Sequence, residues 1–146
     1  MKKFVLTILL SSGLFAQSYY TLDNVDSLRL YFSNEAEFLA PTQADVIKQT
    51  IKKKLENAGF IFGETDAAIL VVKIESIEIE GSDAINVEVK LGEDVITNRK
   101  DNIETFAYTY AEHQLFEGFD PYEDTLEALS HLVDDFIEAH KDDNEE

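Results

Sequence analysis

The chain has 146 residues, the length of one domain, and 45% of them are hydrophobic, enough to bury a single core rather than stay disordered. Thirty Asp+Glu against 12 Lys+Arg give a formal net charge of −18, which argues against nucleic acid or an anionic membrane as a direct partner, since both need clustered cations. With no cysteine, the chain has no disulfide, thiolate metal site, iron–sulfur site, thiol nucleophile or lipidated cysteine anchor.

Residues 1–16 read MKKFVLTILLSSGLFA: two lysines, a short apolar run, then small residues ending on Ala16. That order is a secretory signal, and the run is too short for a stop-transfer helix. Cleavage is expected after Ala16, alternatively after Ser18. It removes two lysines and no acid, leaving 10 Lys+Arg against 30 Asp+Glu, a charge of −20 on the exported domain. The location this implies is periplasmic, soluble and without a lipid anchor.

Residues 19–26 read as a lead-in. Leu28, Leu30 and Phe32 then alternate with Ser27, Arg29 and Tyr31, the period of a half-buried strand. Pro41 and Thr42 open a helix, with Asp45 as a capping-box variant, and Ala44, Ile47, Ile51, Leu55 and Ala58 share one face. Lys48, Lys52, Lys53 and Lys54 complement its C-terminal dipole, and Gly59 followed by Phe60 predicts a left-handed cap.

A second strand starts near Ala67. Ile69 to Val72 is apolar on both faces, which predicts cover on both sides of the sheet. The apolar phase slips at Glu75-Ser76, which a β-bulge would absorb. A turn at Gly81-Ser82-Asp83 leads to a third strand on Ile85, Val87, Val89 and Leu91, with Gly92-Glu93-Asp94 as a turn or bulge. The fourth strand spans residues 103–116. Asp120, Pro121 and Glu123 then start a second helix by capping box, its apolar face running from Tyr122 to His140, with 141–146 as a disordered acidic tail.

The domain is therefore 17–140, of α+β class: a two-layer sandwich of order β-α-β-β-β-α, two helices packed on one face of a four-stranded, mostly antiparallel sheet. The sequence shows no nucleophile elbow, phosphate loop, zinc-protease helix or dinucleotide fingerprint, and so argues against an enzyme and names no cofactor. His131 and Asp135 fit a helix-surface pair. Asp134, Asp135 and Glu138 oppose the dipole of the last helix and are weak candidates for calcium or another cationic partner, although their spacing is not that of an EF-hand.

The aromatic row Phe106, Tyr108 and Tyr110 alternates with the small residues Ala107, Thr109 and Ala111. If the small residues lie beneath the helices, the aromatics line the open sheet face as a partner-binding surface. If not, they are core. A second copy, a ligand or residues 19–22 could cover that open face.

The export signal, the element order, and a helix ending Ala58-Gly59-Phe60 before Asp66-Ala67-Ala68-Ile69-Leu70-Val71-Val72 together resemble small envelope modules, namely LptE-type lipopolysaccharide-assembly lipoproteins and the α/β domains of curli-secretion and TolB N-terminal type. That resemblance covers residues 28–140 and implies a non-enzymatic role in outer-membrane assembly, by contact with a barrel or lipid. The chain departs from it in lacking an anchor cysteine, and a charge of −20 suits lipopolysaccharide only with bridging cations. The expected function is an exported envelope accessory module that binds a partner protein or a second copy through its sheet face and edges. The alternative is a divalent-cation or small-ligand binder using the acidic helix.

Overall fold

The computed structural model describes residues 21–63, 65 and 68–145; the signal segment lies outside them. The elements are β1 (Ser27–Glu35), α1 (Pro41–Asn57), β2 (Ile61–Phe62), β3 (Ala68–Ile79), β4 (Ser82–Ile96), β5 (Glu104–Gly118) and α2 (Pro121–Asn144). They build a five-stranded mixed sheet in the order β2-β1-β3-β4-β5. This corrects the expected four-stranded, mostly antiparallel sheet. β1 is parallel to both neighbours, and only β3–β4 and β4–β5 are antiparallel. A parallel return requires a crossover, and α1 supplies it. The added strand β2 is two residues long, too short for any periodicity to mark it.

One face of the sheet carries the core. Leu70, Val72 and Ile74 of β3 and Ile85, Val87, Val89 and Leu91 of β4 are fully buried against Ile47, Ile51 and Leu55 of α1 and Leu129, Val133 and Phe136 of α2. The apolar face expected of α1 is thus the one it buries. Its C-terminus is closed as expected: Gly59 takes φ 104°, Phe60 N–H donates to the Leu55 carbonyl at 3.1 Å and Gly59 N–H to that of Glu56 at 3.0 Å. Its N-terminus differs. Ala40 is the cap, and its N–H donates to the Gln43 side chain at 3.1 Å, so Thr42 and Asp45 play no capping part.

The N-terminus of α2 shares its capping work differently from the expected box. Asp120 accepts from Glu123 N–H at 3.3 Å, but Asp124, not Glu123, reaches back, accepting from the N–H groups of Phe119 at 2.8 Å and Asp120 at 3.0 Å. The other end is also corrected. α2 runs to Asn144, and its last turn grips the chain before β1. Leu22 N–H donates to Asp143 at 2.7 Å, Asn144 Nδ2 donates to the Leu22 carbonyl at 3.0 Å, and Asn24 N–H donates to Asn144 Oδ1 at 3.0 Å. Most of the stretch read as a disordered tail is therefore helix, and the lead-in contributes Leu22 and Val25 to the core.

The bulge expected at Glu75-Ser76 is absent: β3 pairs with β4 in unbroken register from Ile69↔Gly92 to Ile79↔Ser82. The change of phase has another cause. β3 runs on beyond the core, so Ile77 and Ile79 are exposed on the opposite face. Glu80 and Gly81, both at positive φ, make the two-residue turn into β4. The register shift in the sheet falls instead at Leu91/Gly92, where Leu91 pairs with Tyr110 but Gly92 pairs with Tyr108, leaving Thr109 as the extra residue on β5.

Candidate binding face

The bulge at Thr109 divides the aromatic row. A side chain's face follows its pairing, and one inserted residue reverses the phase beyond it. Tyr110 lies opposite Leu91 on the helix side, 3% exposed, its ring edge-on to Phe136 at 5.2 Å and 78°. Tyr108 and Phe106 lie opposite Gly92 and Asp94 on the open side, 53% and 49% exposed, and meet each other edge to face at 5.8 Å. The three aromatics therefore do not form one row: Tyr110 is core, and Phe106 and Tyr108 form an outward pair. Ala111 pairs with Lys90 and not with a core position, so the small residues do not share one face either.

Two neighbours hold the outward pair. Gly92 provides the bed for Phe106: a Cβ at position 92 would run into the Phe106 ring at Cζ. Lys90 Nζ sits 5.5 Å from the centroid of the Tyr108 ring, within cation–π range. The same end of the face carries Ile69 and Val71, both half-buried, and Tyr31, 60% exposed and in register with Val71. A cleft of about 360 Å³, lined by Arg29, Ile69, Gly92, Glu93, Asp94 and Phe106 among others, adjoins it.

The middle of the open face is polar and self-satisfied. Lys73 bonds Glu75 at 2.6 Å and Glu35 at 3.4 Å, Asn86 donates to Glu75 and Glu88 at 3.3 Å each, and Lys90 bonds Glu88 at 2.6 Å. This middle stretch is therefore able to stand in water, while the apolar end at Ile69 and Val71 is half-buried and has no covering layer among the described residues. Leu22, proposed as part of that cover, is in the core on the helix side.

The network shifts its own titration. The Lys73 hydrogen bond, with help from Asn86, holds the Glu75 carboxyl below the ordinary glutamate range, and the Lys90 hydrogen bond does the same for Glu88 against partial burial. The hydrogen bond to Glu75 raises Lys73. A carboxyl with a depressed folded-state pKa contributes stability above its unfolded pKa and loses it as pH falls through the folded value. Acid titration followed by side-chain carboxyl NMR is thus expected to find Glu75 and Glu88 protonating below the ordinary glutamate range, with the open-face ion pairs intact until they do.

The acidic candidates on α2 are drawn apart by partners from within the chain. Asp134 bonds Lys54 of α1 at 2.6 Å, and Lys54 also donates to the hydroxyl and carbonyl of Ser130. Asp135 pairs with His131 at 2.9 Å. Glu138 is exposed one turn on. Among the described residues no group of three or more His, Asp or Glu side chains is placed to hold a metal ion. The histidines do not converge: His113 is on β5 opposite Glu88, His131 is on α2, and His140 packs against Phe60 at 4.6 Å. No helix among the described residues is long and apolar enough to cross a membrane.

No family model matches the chain, and no curated protein matches it in sequence. Among solved structures, a minor lipoprotein from Acinetobacter baumannii is similar at TM-score 0.35 and 11% identity, over 82% of this chain and 93% of that chain. At that distance the likeness assigns neither a site nor an activity. The resemblance to LptE-type modules has no matching family model behind it.

Proposed function

We propose that this chain is an exported, non-enzymatic accessory module of the cell envelope that binds a partner protein through the open face of its sheet. The observation that carries the reading is the outward pair Phe106 and Tyr108. Two aromatic rings are held about half in water, one over a glycine that leaves room for it and one under a lysine, beside an apolar strip on β1 and β3. Rigid, half-exposed aromatics that adjoin apolar neighbours are what interface hot spots are made of, because burying them costs little side-chain entropy. The basic–apolar–small order of residues 1–16 supports export. The scattered histidines, and carboxylates already taken up in ion pairs, favour binding over catalysis.

The test is the double variant Phe106→Ser/Tyr108→Ser, used as bait in envelope extract beside the unaltered chain. Both side chains are outside the core, so the melting temperature is expected to stay within a few degrees while the specifically retained protein is lost, with hot-spot truncations each weakening binding by about 2 kcal/mol or more. Retention of the same protein by the double variant would remove the open face from the account.

A further inference from the structure

A second surface, apart from the Phe106 and Tyr108 pair, lies along the outer edge of β5. This strand is the last in the sheet, so one side of a 15-residue strand has no pairing partner among the described residues. An edge of that length is a template for another strand. It borders a groove of about 470 Å³ between β5 and the start of α2. Leu115 and Phe119 line it, 73% and 97% exposed, together with the acids Glu117, Asp124 and Glu127, and no lysine or arginine is among its lining residues.

The groove has a fixed geometry. A Cβ on Gly118 would come within 2.7 Å of Ile85 Cδ1 and 3.2 Å of Pro121 Cα, so strand and helix join by a close approach at this glycine. Phe119 follows directly, its N–H anchored on Asp124 at 2.8 Å while its side chain stands in water. The charge selects the occupant. A second copy pairing through the same edge would bring together two strands that each carry Glu104, Glu112 and Glu117 and no lysine or arginine, on chains of net charge −18, whereas a basic strand meets opposite charge.

We propose that the β5 edge and this groove receive an extended basic segment of another protein, added as a sixth strand, with its apolar side chains beside Leu115, which lies opposite Asn86 on the open side, and its lysines or arginines on the helix side, toward Asp124 and Glu127. Strand addition of this kind takes affinity from main-chain hydrogen bonds and selectivity from alternate side chains.

The probe is a synthetic peptide of alternating valine and lysine, titrated into the isotope-labelled chain and followed by backbone amide NMR. Shifts are expected on residues 111–119 and the first turns of α2. The valine–glutamate counterpart is expected to bind at least about tenfold more weakly, and so is one of two peptides N-methylated on either set of alternate residues, since methylation keeps the charge and blocks pairing. Glu117→Lys/Glu127→Lys is expected to cost a similar factor, while the same charge change at Glu138→Lys/Asp142→Lys, farther along α2, costs under about twofold. The proposal is overturned if both methylated peptides bind as well as the parent, if the distant charge change weakens binding as much as the groove change, if the shifts centre on Phe106 and Tyr108, or if sedimentation shows the chain pairing with itself through this edge instead.

Discussion

Replacing Phe136 by alanine is expected to remove about 3–5 kcal/mol of folding free energy. Phe136 is fully buried, and its ring is shared between Phe60 at 5.5 Å and Tyr110 at 5.2 Å. It therefore joins α2 to the exit of α1 on one side and to the inner face of β5 on the other. An alanine leaves a cavity bounded by elements that are themselves held in a sheet and a capped helix, so collapse around it is limited, and the two aromatic contacts are lost with the area. Urea unfolding of the variant beside the unaltered chain measures it, and a loss below about 1 kcal/mol would show that the ring is not at the centre of the core. Tyr110→Ser is expected to destabilise in the same way, because Tyr110 belongs to this cluster and not to the open face.

Leu22→Ala is expected to cost about 2–5 kcal/mol although it lies before the first strand, in a stretch whose sequence has no period. Leu22 is fully buried, and its N–H and carbonyl are both held by the last turn of α2 through Asp143 and Asn144. The residue closes the end of the core between the two termini of the domain. Its truncation removes apolar contact while the backbone bonds keep the segment in place, which stops the gap from filling. Thermal unfolding with and without the substitution measures the effect. A change within about 0.5 kcal/mol would mean that residues 21–25 are only lying on the surface.

The helices were legible in the sequence because their signals are local. Apolar residues at steps of three and four gave the buried face of α1, and Gly59-Phe60 gave its cap, since only glycine readily takes the left-handed turn that the cap needs. The alternation of Ile85, Val87, Val89 and Leu91 likewise marked the inner face of β4. What could not be read depends on partners distant in sequence. Period two says that a strand has two faces but not which strand lies beside it, so the parallel pairing of β1 and the two-residue β2 left no mark.

The division of the aromatic row had the same cause. Phe106, Tyr108 and Tyr110 alternate without interruption, and the insertion at Thr109 exists only relative to β4, where Gly92-Glu93-Asp94 was the one hint. On α2, acids near a helix C-terminus looked ill placed and pointed weakly to a cation. For Asp134 that cation is Lys54, brought in by α1, and Asp143 is spent on the backbone of Leu22. Burial and charge type were legible; the identity of each charge's partner was not, because the fold supplies it.

The most direct test of the central claim, that the open sheet face receives the partner, is site-specific photocrosslinking in intact cells. A benzoylphenylalanine would replace Tyr108 in one version of the chain and Val46, 55% exposed on α1, in another. The open-face account predicts one discrete crosslinked species from position 108 that is absent from position 46. No adduct from position 108, or the same adducts from both positions, would contradict it.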